Sequence, residues 1–227
     1  MISNGIRMAE IIKIKKGLDI PLRGKAQGGN MTDCSPTSVG ICPADFPGYT
    51  WKLAVHPGDK VGVGSPLLYA KENETIKLVS PAAGEVAEVI RGERRRILTV
   101  TVDCSKEGGE NIKFNIGRKN EDVITALCDS GLWAMLRQRP YDIIPNPSVR
   151  PRDIFITAFD SAPLAPALIS SEDLDALRAG VELLSGMTDG KVYLGVRFGS
   201  GISVPGSVVT EYEGPHPSGL VGTQIVS

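Results

Sequence analysis

Between Val55 and Val102, short runs of alternating apolar and polar residues are separated by glycine and proline at nearly regular intervals. Such alternation is the pattern of strands that bury one face, and the glycines and prolines mark chain reversals. The stretch therefore predicts a compact, barrel-like β-sandwich closed by tight turns. The predicted strands are Lys60–Val61, Leu67–Tyr69, Ile76–Leu78, Val86–Val89 and Ile97–Val102.

Upstream of this region, a shorter stretch is rich in lysine. Isoleucine and leucine alternate with lysine and aspartate between Ile12 and Ile20. This pattern predicts an edge strand that enters the barrel. Residues 1–10 are expected to be an extension. The polar stretch Gly24–Gly48 is expected to be a surface loop with short strands at most.

Downstream of a predicted linker at Cys104–Gly109, the apolar residues recur at helical spacing. Asn120 can cap a helix whose buried stripe reaches Leu127. After Gly131 the helical pattern resumes and continues up to Arg139, where a proline follows and ends it.

The last third of the chain alternates between strand and helix. Ile154–Phe159 is a continuous apolar run, typical of a strand buried on both faces. Ser170 and Asp173 have the spacing of a capping box, followed by a helix over Leu174–Leu184 and a strand over Lys191–Val196. This order predicts a parallel pair with a right-handed crossover, as in a doubly wound sheet. Further strands are predicted at Ser207–Tyr212 and Leu220–Val226.

These patterns predict a mixed α and β protein with two domains. An all-β domain is expected over residues 11–104, and a partial, Rossmann-like α/β domain over residues 110–227. Two or three strands with one good helix are too few for a free-standing α/β domain. Either unusual packing completes the sheet or the domain is truncated, and we expect a truncated domain.

The glycine turns of the β domain carry a family resemblance. Gly58–Val61 (GDKV) and Ser80–Val86 (SPAAGEV) resemble turns of the barrel-sandwich hybrid of biotinyl and lipoyl carrier domains, in reversed order. The reversed order resembles the N-terminal domain of the A subunit of the sodium-translocating NADH:quinone reductase, and of the related C subunit of the Rnf complex. A carrier module is the alternative interpretation. It would need a hairpin-tip lysine flanked by methionines or acids, and the nearest candidates, Lys71 and Lys77, lack that flank.

Three segments of the second half strengthen the resemblance to this reductase family. The chains of that family are longer, and the resemblance covers their N-terminal half. The segments are Gly131–Pro147, Ile154–Pro166 and Glu211–Ile225.

The resemblance implies a peripheral subunit on the cytoplasmic face of the bacterial inner membrane, held there by the other subunits of the complex. That complex would oxidise NADH, reduce ubiquinone or menaquinone and export sodium. FAD, FMN, riboflavin and an iron–sulfur centre would belong to other subunits, and no bound cofactor is expected on this chain. A quinone contact is the ligand contact that the resemblance implies here. Enzyme activity is expected of the assembly and not of this chain alone.

Two glycine-containing segments are candidates for a nucleotide site. In related subunits a glycine-rich turn lets backbone N–H groups reach a phosphate. Here Gly131–Arg137 has one glycine, and Trp133 and Met135 would fill the space. No helix pattern follows Gly195–Gly206, which predicts a loop between strands, or alternatively an anion or quinone-headgroup contact. A stand-alone nucleotide-binding oxidoreductase is therefore a less favoured alternative.

Three residues are candidates for the quinone contact. His216 lies in the unusual segment EGPHPSG, and Asp160 follows a buried strand at the edge where open α/β sheets bind ligands. Arg137 is the third candidate. Each also has a structural interpretation: a turn for His216, a turn cap for Asp160 and an ion pair for Arg137. The other histidine, His56, is predicted to lie in a turn.

Composition narrows the classes of function. A formal net charge of −1, with 22% charged and 41% hydrophobic residues, describes a globular protein without a nucleic-acid or anionic-membrane signature. The four cysteines contain no C-x-x-C spacing, which disfavours metal or cluster binding and predicts free thiols in a reducing cytoplasm. No apolar run approaches the ~18 residues of a membrane span. The dense basic run Arg91–Arg96 is either a solvated hairpin or a contact for an acidic partner surface.

Overall fold

The computed structural model describes residues 9–24, 34–117, 119–166, 169 and 173–227. Within these ranges the strands are β1 (Glu10–Lys13), β2 (Ser38–Ile41), β3 (Trp51–Leu53), β4 (Lys60–Val61), β5 (Pro66–Ala70), β6 (Lys77–Val79), β7 (Gly84–Arg91), β8 (Ile97–Asp103), β9 (Ile154–Thr157), β10 (Val192–Arg197) and β11 (Ser207–Glu213). The α-helices are α1 (Asn120–Asp129), α2 (Leu174–Ser185) and α3 (Val221–Val226). Short 3₁₀ helices lie at Pro43–Asp45 and Leu132–Met135, and a turn with left-handed φ at Arg94 lies at Glu93–Arg95.

The chain divides into two compact units. Among the described residues, the β unit comprises those within Thr32–Val149, and the α/β unit comprises those within Met1–Met31 and Arg150–Ser227. The second unit is therefore discontinuous in sequence, because the N-terminal segment belongs with the C-terminal part of the chain.

Two antiparallel sheets form the β unit in the described part of the chain, with strand orders β2-β8-β7-β4 and β3-β5-β6. The predicted strands are confirmed, and the alternating apolar residues fill the space between the sheets. Gly84 is required where β7 begins, since a Cβ there would collide with the backbone carbonyl of Asp103. The fully buried side chains of this unit include Leu67, Leu68, Ile76, Val86, Val100 and Val102.

The segment after β8 is bound to the β unit, which corrects the prediction of a linker. The N–H of Gly109 donates to the carbonyl of Val61 at 3.1 Å, and that of Ile112 donates to Val63 at 2.8 Å. Helix α1 also groups with this unit. Its Asp129 accepts a 2.6 Å ion pair from Lys77 Nζ. Backbone hydrogen bonds, which the composition of this segment does not reveal, thus attach Gly109 and Ile112 to the β unit.

The α/β unit is built on a parallel sheet whose described strands have the order β1-β11-β10-β9. Helix α2 lies between β9 and β10 in sequence, so the predicted strand–helix–strand unit is confirmed. Valine and leucine from β10 pack with α2 residues in one core. Its buried members are Ala158, Val181, Val192, Leu194, Val196 and Val204.

Several predictions in this unit are wrong. The N-terminal strand is an edge strand as predicted, but β1 joins the parallel sheet beside β11 and does not enter the barrel. The sheet has four described strands, and β1 supplies one that was not expected in this unit. β9 is half-buried because it lies at the sheet's other edge. Residues 220–226 form helix α3 and not a strand.

Helix boundaries also differ from prediction. Asn120 is the first residue of α1, and Lys119 occupies the cap position without a side-chain bond. The second helical pattern is limited to the 3₁₀ helix Leu132–Met135, after which Leu136 is extended. The predicted capping residue Ser170 lies outside the described residues.

Candidate functional site

The carboxyl edge of the parallel sheet brings two of the predicted site residues into one cluster. β9 ends at Thr157, and the chain continues through Asp160 and Ser161. Ser161 Oγ lies 3.1 Å from Nδ1 of His216, which follows the end of β11. Loops at the carboxyl ends of parallel strands are where open α/β sheets bind ligands.

Asp160 holds the turn after β9, as its structural interpretation predicted. Its Oδ1 accepts the N–H of Ala162 at 2.7 Å, and its carbonyl accepts a 2.6 Å bond from Arg197 Nη2. The guanidinium of Arg197 also lies 5.5 Å from the ring centroid of Phe159, in a cation–π contact. Arg197 is otherwise exposed and keeps N–H groups for a ligand.

His216 is fixed through its backbone by the segment that follows β1. Its N–H donates to Asp19 Oδ1 at 3.0 Å, and its carbonyl accepts the N–H of Leu18 at 2.9 Å. Gly17 allows this approach, because a Cβ there would collide with the His216 carbonyl. The N-terminal segment therefore forms one side of the cluster.

The loop that carries His216 is held to β9 by a buried amide. Gln224 Nε2 donates to Thr157 Oγ1 and to the carbonyl of Ser218, each at 3.1 Å. Tyr212 donates its hydroxyl to the carbonyl of Gln224 at 3.2 Å, and burial, followed by the charge of Glu10, raises the pKa of this phenol. The neutral phenol thus remains a hydrogen-bond donor at physiological pH.

Ser161 orients the imidazole ring of His216. Ser161 Oγ accepts the N–H of Gly219 at 2.8 Å and lies within hydrogen-bond distance, 3.1 Å, of His216 Nδ1. The imidazole ring thereby has a fixed orientation, with Nδ1 facing the serine hydroxyl.

A cavity of about 520 Å³ lies beside this cluster, within the size range of small-molecule sites. Its walls combine apolar side chains with the polar groups of Asp160, Ser161 and Arg197. His216 does not line the cavity itself and contacts it through Ser161. The apolar lining residues include Ile20, Leu22, Phe159, Pro163, Leu164 and Ile202.

Two family descriptions match consecutive parts of the chain. The NqrA N-terminal barrel-sandwich hybrid domain matches residues 12–105, and the NqrA second alpha/beta domain matches residues 118–227. The chain belongs to the NqrA family. The predicted fold class, a barrel-sandwich hybrid followed by an α/β domain, is confirmed.

Curated relatives support the same assignment. The chain is 37% identical over 229 residues to the A subunit of the Na(+)-translocating NADH-quinone reductase of Vibrio atlanticus (strain LGP32). It is 36% identical over 227 residues to the same protein of Serratia proteamaculans (strain 568), and 37% over 230 residues to that of Hahella chejuensis (strain KCTC 2396). Each match covers 95% of this chain and 50% or 51% of the relative. The chain thus spans about half the length of the curated relatives it matches.

The family division of the chain differs from its spatial division. Residues 118–149 belong to the second NqrA domain by similarity, yet the described residues 119–149 group with the β unit in space. The predicted limits, 11–104 and 110–227, stay a prediction.

The third candidate, Arg137, lies in the β unit and not in the His216 cluster. Its Nη1 donates to the carbonyls of Ala134 and Leu136 at 2.6 and 3.0 Å, and its Nη2 donates to that of Asp45 at 3.0 Å. These bonds satisfy carbonyls at the end of a 3₁₀ helix. The arrangement assigns Arg137 a structural role in this NqrA-family chain.

The segment expected to exclude a phosphate is well packed around one tryptophan. Trp133 is 3% exposed and donates Nε1–H to the carbonyl of Pro145 at 2.8 Å. Met135, predicted to fill the same space, is instead 63% exposed because the 3₁₀ helix turns it outward. Gly195–Gly206 begins in β10 and continues as the predicted loop before β11.

The two candidate carrier lysines differ. Lys77 is engaged by Asp129, whereas Lys71 is exposed in the β5–β6 turn. No three His, Cys, Asp or Glu residues converge as a metal site within the residues described. Nor does the described part of the chain contain a helix long and apolar enough to cross a bilayer.

Sequence reasoning missed Ser161, Arg197 and Asp19. The position of Ser161 and Arg197 in the sequence could have identified them, since each follows the carboxyl end of a predicted strand, as Asp160 does. Asp19 had no such signal, because it precedes His216 by 197 residues and lies in a segment that was assigned to the barrel.

Proposed function

We propose that the chain works as part of a sodium-translocating NADH-quinone reductase. The observation that carries this proposal is the succession of both NqrA domains along the chain, with curated relatives named for that enzyme. In this assignment NADH oxidation, quinone reduction and sodium export are activities of the whole assembly.

Within the assembly, the other subunits hold FAD, FMN, riboflavin and the iron–sulfur centre. They also retain this chain at the cytoplasmic face of the bacterial inner membrane as a peripheral subunit. This chain then contributes protein–protein contacts and a quinone contact.

The quinone contact is assigned to the cavity beside Ser161 and His216. A quinone headgroup is a planar ring with carbonyl oxygens that accept hydrogen bonds. Arg197 offers N–H donors at the cavity wall, and the Ser161 hydroxyl, which contacts His216 Nδ1, also lines the cavity. The apolar walls supply the surface that an isoprenoid quinone needs.

Affinity purification of the tagged chain from membranes of its native host tests the assembly assignment. We expect it to co-purify with NADH:quinone reductase activity, whereas the isolated chain shows no turnover of NADH or quinone. A biotinyl or lipoyl mass on Lys71 or Lys77 would establish the carrier alternative. NADH-dependent quinone reduction by the isolated chain would establish the stand-alone oxidoreductase.

Equilibrium binding of ubiquinone-1 to the purified chain tests the quinone contact. Arg197→Ala should weaken binding about tenfold, as expected for the loss of a charged hydrogen-bond donor. Arg178→Ala is the control, because Arg178 is a half-exposed residue of α2 paired with Asp175. Equal affinities of the two variants would exclude this cavity as the quinone contact.

A further inference from the structure

A second groove lies in the β unit, between β3 and the hairpin that joins β7 to β8. Its volume is about 710 Å³. One wall is aromatic and the other is basic, which gives the groove two distinct chemical sides. The aromatic residues are Phe46, Tyr49 and Trp51, and the basic ones are Lys52, Arg91, Arg94, Arg95 and Arg96.

β3 borders this groove with an open edge. β3 pairs with β5, and no other described strand pairs with its second edge. Lys71 N–H donates to the carbonyl of Thr50 at 2.7 Å, and Ala54 N–H donates to Leu67 at 2.9 Å. Because antiparallel bonding alternates along a strand, the backbone groups of Trp51 and Leu53 point away from β5. An incoming strand could therefore pair with them.

The aromatic wall is ordered. Trp51 meets Phe46 and Tyr49 edge to face, with ring centroids 6.4 Å apart in each pair. Its Nε1–H donates to the carbonyl of Phe46 at 3.0 Å. All three side chains are half-buried, so they present a rigid apolar surface to a bound side chain.

The basic wall concentrates charge in a chain whose net charge is only −1. Arg91, Arg94, Arg95 and Arg96 are all exposed, and no described carboxylate forms an ion pair with them. Arg94 and Arg95 have φ values of +53° and +59°, in the left-handed region. Two successive non-glycine residues in that region are rare, and strain of this kind clusters at binding sites.

We propose that this groove docks an extended acidic segment of a partner polypeptide. The segment adds to the open edge of β3, seats apolar side chains against the aromatic wall and places carboxylates against the arginines, which bind carboxylates through paired N–H groups. The groove is concave and includes unpaired backbone, features that a polypeptide uses and a flat lipid surface does not. This inference is independent of the function proposed above.

Binding of a fluorescent, end-blocked peptide of alternating glutamate and valine to the full chain provides the test. We expect saturable binding that weakens with salt, and no binding of the matching lysine–valine peptide. Amide hydrogen exchange should slow at Trp51 and Leu53 in the complex. The double substitution Arg94→Glu/Arg95→Glu should weaken binding at least about tenfold.

The matched control is Lys113→Glu/Lys119→Glu, which makes the same change in charge at exposed positions of the β unit outside the groove. It should alter affinity by less than about twofold. Equal losses in the two double variants, or peptide binding without protection of Trp51 and Leu53, would overturn the proposal. So would the absence of peptide binding, whether or not inorganic phosphate or phosphatidylglycerol vesicles bind the arginines.

Discussion

Ser161 and His216 are 55 residues apart in the chain, and their side chains meet with 3.1 Å between Oγ and Nδ1. The same serine oxygen accepts the backbone N–H of Gly219. One hydroxyl thus joins the loop after β9 to the loop after β11 and orients the imidazole ring.

Replacing this hydroxyl tests its role. Ser161→Ala leaves the Gly219 N–H and the His216 ring without their shared partner. We expect the α/β unit to lose about 1–2 kcal/mol of stability. Hydrogen exchange at β10 amides measures the loss, and the imidazole ¹⁵N spectrum should show a changed distribution of ring tautomers, because the Nδ1 partner is removed. Ser185→Ala, an exposed position on α2, should change stability by less than about 0.5 kcal/mol.

Gly195 lies in β10 directly under Gln224, and a Cβ at this position would collide with the Gln224 amide. Gly195→Ala should therefore displace the bonds of Gln224 to Thr157 and Ser218 and destabilise the α/β unit by about 1–3 kcal/mol. Thermal unfolding followed by circular dichroism measures the change.

Gly180→Ala is the matched control for that substitution. Gly180 lies inside α2, and its added methyl group would meet nothing within 4 Å. Alanine loses less backbone entropy on folding into a helix, so this variant should gain about 0.5–1 kcal/mol. Equal effects at the two glycines would contradict the described packing of α3.

Cys128 gives the β unit a dependence on alkaline pH. Burial, followed by the charge of Asp129, raises the pKa of this thiol from 9.0 to about 11. The stabilising contribution of the neutral thiol is complete below pH 9 and is lost as pH rises through 11, because the unfolded chain releases its proton first. The free energy of unfolding should fall more steeply over this range in the wild type than in Cys128→Ala.

Urea unfolding followed by tryptophan fluorescence is the measurement. Both tryptophans of the chain, Trp51 and Trp133, lie in the β unit, so the signal reports that unit. Cys34→Ala removes an exposed thiol and should keep the wild-type pH dependence. Identical curves for wild type and Cys128→Ala would falsify the assignment.

Arg137 should matter for stability and not for quinone binding. Arg137→Lys cannot serve the carbonyls of Ala134, Leu136 and Asp45 together, and we expect the β unit to lose about 1–2 kcal/mol. The neighbouring Arg139→Lys should cost less than about 0.5 kcal/mol, because Arg139 forms an exposed pair with Asp142. If Arg137→Lys binds ubiquinone-1 more weakly than the wild type while its stability is unchanged, Arg137 contacts the quinone and the structural assignment is wrong.

Local patterns were sufficient for most elements of this chain. The period of two in the β region identified its strands, since alternate residues along a strand face opposite sides. Val181 and its neighbours at helical spacing identified α2. Asp160 was a candidate because a buried run ended just before it, and strand ends at one edge of a parallel sheet are close in space.

The secondary structure and burial of short segments were harder to predict from the sequence. Residues 220–226 carry apolar side chains at spacings that suit either a strand or a short helix, and periodicity over so few residues does not distinguish them. In the structure the segment is a helix, and Gln224 on this helix contacts Thr157 of β9 and Gly195 of β10. Similarly, β9 was expected to be buried on both faces, because its sequence does not reveal that no described strand follows it at the sheet edge.

The sequence by itself determined most of the strands and the longer helices, since those preferences depend on neighbours along the chain. Only the tertiary structure decided which strands pair. From its sequence, Ile12 could have paired with a strand of the β unit or with the parallel sheet, and it lies beside Tyr212 of β11. Asp19 then reaches His216 and Ser161 completes the cluster. Backbone hydrogen bonds are the same for every strand, so partner choice depends on the packing of whole faces, which no local pattern contains.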